Sequence, residues 1–114
     1  MAKLSPQTTE IINRLKQQAL DVLHEAKTAE FNLLDRFGET ERTAPFFDEL
    51  MGVAEETRTV FSRFNQVQLR VAESQPVASP DLLKILDRVI EYTASRIPAW
   101  ERSIEEVRLE FDLP

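Results

Sequence analysis

A chain's chemistry is bounded by its reactive side chains, and here they are few. There is one histidine, His24, in the run Asp21-x-x-His24-Glu25, and there is no cysteine. A di-iron carboxylate bundle needs Glu-x-x-His on each of two helices plus further glutamates. One histidine does not supply that pattern, so His24 is expected on a solvated helix face or at a seam edge. Adjacent carboxylates occur twice, as Glu55–Glu56 and Glu105–Glu106. Sequence neighbours diverge by about 100° on a helix, so neither pair forms a close acid/base dyad by itself. Glycine stands only at positions 38 and 52, which leaves no phosphate-cradling loop and no nucleophile elbow, and His-Glu-x-x-His is absent. Without cysteine, disulfides, thiol catalysis and thiolate metal sites are excluded. The expectation is a protein that is not an enzyme and uses neither cofactor nor metal.

The rest of the composition builds helices. Residues 1–114 fit one domain, and the balance of 42% apolar and 30% charged residues is that of a folded chain. The net charge of −6 and a pI near 4.8 argue against nucleic acid and anionic membranes as partners. The start, MAKLSPQTTE, lacks an apolar signal core and no run approaches a membrane span, so a cytoplasmic location is expected.

The last third of the chain organises the rest. From Leu83 through Leu86, Ile90, Thr93, Ile97, Trp100, Ile104 and Val107 to Phe111, seam positions advance in alternating steps of three and four. Such positions share one helix face, and a mean step of about 3.5 holds that face on a neighbour over a long distance. Ser79 suits the N-cap, Pro80 the first helical position and Asp81 the positive end of the macrodipole. Pro98 lies inside the pattern without changing its phase, so it is expected to kink the helix.

Two further helices are predicted, from about Pro6 to Phe37 and from about Pro45 to Ser74. The first carries the seam Thr8, Ile12, Leu15, Ala19, Val22, Ala26, Ala29, Leu33 and a second stripe of Ile11, Leu20, Leu23, Phe31, Leu34 and Phe37. The second carries Phe47, Leu50, Ala54, Thr57, Phe61, Phe64, Gln68, Val71 beside Phe46, Val53, Val60, Val67. Two stripes on a helix imply two neighbours. Gly38 suits the first helix's stop, Thr43 or Ala44 the second helix's cap, and Gly52 a close approach of another backbone. The links GETERTA and QPVAS are short, and short links make antiparallel neighbours. The fold class expected is all-α: an up-down-up antiparallel three-helix bundle of long heptad-patterned helices, the third (79–111) kinked at Pro98. In outline, though through no residue motif, this resembles spectrin-type bundles.

That topology gathers residues 26–58 and 98–114 at the end of the bundle holding the first link. Thirteen acids against six bases give this end −7, leaving +1 for the other. Six of the nine aromatics sit there, and Trp100 is expected level with Phe37 and Phe47. Phe46 and Phe47 diverge too far for a narrow seam to bury both. Glu105, Glu106, Glu110 and Asp112 oppose the macrodipole at the end of their helix. The functional expectation is therefore a small non-catalytic protein–protein interaction module, an adaptor or regulatory subunit, with Phe46, Phe47, Trp100, Glu105 and Glu106 as partner-binding residues. The partner expected is another protein, of basic character, with a homodimer as the nearby variant. The alternative is a small-molecule-binding or enzymatic bundle with an apolar cavity near Pro98, where Ala26, Ala29, Gly52, Ala54, Thr93 and Ala94 share a level.

Overall fold

The first and third helices begin where a serine side chain satisfies a free N–H group of the first turn. The hydroxyl of Ser5 accepts from the Thr8 N–H at 3.1 Å, and that of Ser79 accepts from the Leu82 N–H at 3.1 Å, each one residue ahead of a proline. The computed structural model describes residues 4–74 and 76–114. Within it lie α1 (Pro6–Phe37), α2 (Ala44–Glu73) and α3 (Pro80–Phe111), within a residue or so of the predicted limits. The first three residues of the MAKLSPQTTE start, and Gln75 of the second link, lie outside the described residues.

Direction follows from side chains that bridge helices. Lys16, early in α1, donates to Gln68 at 3.1 Å and lies over the Phe61 ring, both late in α2. Phe37 at the end of α1 and Phe46 at the start of α2 both pack on Phe111 at the end of α3. The path is therefore up-down-up, and the three-helix bundle is 56 Å long and about a third as wide. No helix among the described residues is long and apolar enough to cross a membrane.

The core runs the length of this rod. On α1 the seam from Ile12 to Leu33 is buried as its spacing predicts. On α2 both stripes contribute, with Leu50, Ala54, Thr57, Phe64 and Val71 from one and Val53, Val60 and Val67 from the other. Buried Thr57 and Thr93 satisfy their hydroxyls on their own helices, donating to the Ala54 and Val89 carbonyls at 2.9 and 2.7 Å.

Three expectations are corrected. In the first half of α3, Leu86 and Thr93 are buried as expected, but Leu82 and Val89 take the places expected for Leu83, which is exposed, and Ile90, which is half-buried. A strict heptad drifts by about 20° per repeat on an α-helix. Four repeats back from Phe111 that drift approaches one residue, and the core takes Leu82. The second stripe of α1 is also not covered throughout: Leu20, Phe31, Leu34 and Phe37 are exposed. Finally, no backbone approaches Gly52, since a Cβ there would meet nothing within 4 Å.

α3 runs through Pro98 without a break. Pro98 and Ala94 both lie on the solvent side, so the carbonyl that loses its N–H partner faces water rather than the core. This position makes the proline tolerable without removing its cost. Replacing Pro98 by alanine is expected to raise the unfolding free energy by about 1–3 kcal/mol. Gly52→Ala, filling open space in mid-helix, is expected to add about 0.5–1 kcal/mol. Both are checked by urea unfolding.

Candidate functional site

The first-link end is built on a threonine that sequence reading treated only as a cap. Thr43 is buried; its hydroxyl donates to the Gly38 carbonyl at 2.9 Å and accepts from the Thr40 N–H at 2.9 Å. The Thr43 N–H in turn donates to the Thr40 hydroxyl at 3.1 Å. Gly38, at φ 69°, adopts the positive φ that glycine takes without strain. The link is thus a hydrogen-bonded knot that fixes how α2 leaves α1. A buried threonine linking two turns has no periodic signature in sequence.

Above this link Phe111 forms the hub of an aromatic cluster. Phe37 lies 5.2 Å away, tilted, and Phe46 meets it edge-on at 4.9 Å, geometries that suit ring quadrupoles. The Arg42 guanidinium covers the same ring at 4.9 Å and reaches Glu110 at 3.8 Å. Arg36 donates across from α1 to the Asp112 carbonyl at 3.1 Å, placing a cation at the end of α3. Acids that oppose the macrodipole there are thus partly answered from within the chain.

The five residues singled out in sequence do not come together as one surface. Phe46 is half-buried against Phe111, and Phe47 is half-buried on the side of α2 turned toward α1. Glu105 and Glu106 are exposed on α3, with Glu105 3.9 Å from Arg108. Trp100 is fully buried, so its indole belongs to the core and offers no face to a partner. Nor is it level with Phe37 and Phe47. Phe111 holds that level, and Trp100 lies eleven residues back, about 16 Å along the helix, beside Glu56.

There the buried indole N–H finds its partner, donating to Glu56 Oε2, and Arg96 donates to the same oxygen at 3.1 Å. Partial burial pushes the Glu56 carboxyl up, but the Trp100 and Arg96 hydrogen bonds and the Arg96 charge outweigh it and hold the group below its ordinary value. The Arg96 guanidinium is raised, first by the hydrogen bond to Glu56 and then by its charge. These residues edge an open groove of about 470 Å³ between α2 and α3, with Gly52, Tyr92, Arg63 and Ser103 on its walls. At the level where an apolar cavity was the alternative expectation, this open groove is lined by Val53 and Val60 together with a larger number of charged and polar groups, and Pro98 is not among them.

On the opposite flank, between α1 and α2, large apolar side chains reach solvent. Phe31 is 66% exposed, Leu34 49% and Met51 54%. At the start of α2, Ala44, Phe47 and Met51 floor a depression of about 210 Å³ rimmed by Glu39 and Asp48. Sequence reading placed Phe31 and Leu34 in a covered stripe. The signal available was that α1 carries more apolar positions than one seam requires.

No protein-family model, curated protein or solved structure matches the chain.

Removing the Glu56 carboxylate leaves the buried indole N–H unpaired, so Glu56→Ala is expected to cost about 1–3 kcal/mol. Glu56→Gln keeps an acceptor oxygen and is expected to cost less. The folded carboxyl releases its proton more readily than the unfolded one, so ionised Glu56 stabilises the fold above the ordinary carboxylate range. That contribution is lost as pH falls through the lowered folded value. The stability gap between wild type and Glu56→Gln should therefore narrow on acidification through that window, as measured by denaturant unfolding over a pH series.

Proposed function

We propose that the protein is a small non-catalytic interaction module that binds another protein through its first-link end. The observation that carries this reading is the exposure of Phe31, Leu34 and Met51, with Phe47 half-buried, on the end of the bundle that holds the excess of acids. Large apolar side chains grouped on a surface cost solvation and are characteristic of contact sites. The core beneath them is closed without their help. Phe47 remains from the residues expected in sequence. Glu105 and Glu106 contribute negative charge at the same end, whereas Trp100 acts through the core.

Affinity capture from cells of the native source tests this reading. A Phe31→Ser/Leu34→Ser variant alters only exposed side chains and is expected to unfold thermally as wild type does. It should lose a partner that wild type retains, while Leu69→Ser, toward the far end, should keep it. Equal retention by all three proteins would refute an interaction at this end.

A further inference from the structure

We infer that the flank between α1 and α2 at the first-link end seats a basic amphipathic helix of another protein, an inference that rests on the interaction role proposed above. Register defines the seat. Lys16 touches Phe61 and Gln68. Counting equal numbers of residues along both helices from that contact, fifteen to Phe31 and eighteen to Leu34, brings Phe31 level with the turn of Met51 and Leu34 level with that of Phe47. Lys16, Leu20, Leu23 and Leu34 recur at helical spacing on the side of α1 nearer α2, and Phe31 stands next to Leu34 on the outer face of the same helix. Phe61, Ala54 and Phe47, seven apart, do the same on α2, and Met51 lies one turn beyond Phe47. From Leu20 to Leu34 the row is about 21 Å long, which matches four turns of a helix laid in the groove by its own apolar stripe.

Charge selects the occupant. Asp35, Glu39, Asp48 and Glu55 are exposed along the outer edges of the two helices at this level. Glu39 and Asp48 stand over the apolar floor of Ala44, Phe47 and Met51. An apolar floor under two carboxylates suits a lysine or arginine, whose stem lies on hydrocarbon while its head meets the acids. A second copy of this chain fits worse. Turned about a two-fold axis through the patch, it would oppose two ends that each carry −7. Set antiparallel along the rod instead, it would lay Phe31 and Leu34 against the polar stretch of Asn13, Ser62 and Asn65.

The test uses two labelled synthetic peptides of about 18 residues. Both carry leucines at helical spacing; one has lysine and arginine on the flanks and the other glutamate. Binding to the full chain is read by fluorescence anisotropy at low and high salt. The basic peptide should bind and weaken as salt rises. Binding should fall about tenfold with exposed-site variants Glu39→Lys/Asp48→Lys or Phe31→Ser/Leu34→Ser. The glutamate copy should not bind, and the chain should sediment as a monomer. Several results would overturn the inference: no binding of the basic peptide, binding indifferent to both variants, preference for the acidic copy, or a dimer abolished by the Phe31/Leu34 variant. If a cellular partner is still lost on changing Phe31 and Leu34 while the basic peptide fails, the occupant is wrong and the interaction role stands. If neither depends on the patch, both fall.

Discussion

The structure depends on one constraint: three amphipathic rods, which owe their stability in water to packing rather than to propensity, must cover one another's apolar seams along their whole length. An α-helix satisfies this over eight turns only if its buried positions follow its own pitch. On α3 they do, passing from Leu82 to Phe111 with an occasional extra step of four in place of three. The rest follows from that alignment. α2 lies against both neighbours and buries two stripes, whereas α1 buries one and leaves much of its second open. Polar groups drawn into the seam are satisfied locally. Thr57 and Thr93 bond their own helices, and the Trp100 indole reaches the Glu56 carboxylate at the seam edge.

What was legible in the sequence divides along the same line. Caps and links, carried by Ser5, Gly38, Ser79 and the adjoining prolines, announce themselves locally and fixed the three helices to within a residue or so. The α1 seam was legible residue by residue because its alternation of three and four spans only three repeats, from Ile12 to Leu33, over which the drift stays within about 60°. The start of α3 was not, because Leu82 and Leu83 are both leucine and only long-range phase decides between them. The level of Trp100 was misplaced because levels depend on how the links set the stagger between helices. That stagger is fixed by contacts such as Phe46 on Phe111, not by periodicity.

The candidate site was legible in kind and misplaced in detail. Charge counting located the acidic end without knowledge of any side chain's direction. It could not assign the acids to internal or external roles, because Arg36 and Arg42 reach α3 from other parts of the chain. Once those arginines are placed, the end of α3 is largely supplied with cations. Glu39 and Asp48, by contrast, stand at the rim of an open depression. The negative charge open to the proposed partner is thus that on the flank of the first two helices rather than on the third.

That shift changes what an exposed phenylalanine means here. Isolated apolar side chains on a surface are ordinary, and Leu69 or Leu109 alone would call for no explanation. Phe31 and Leu34 differ because they stand one turn apart, at the level that register gives to exposed Met51 and half-covered Phe47, on the acidic end of the bundle. A bundle that needed only to fold could carry polar residues at these positions, since the seam beneath is complete from Ile12 to Leu33 without them. Their exposure is a cost in solubility that folding does not require. A helix that covers them and brings positive charge would remove that cost and oppose the excess of acids in a single contact.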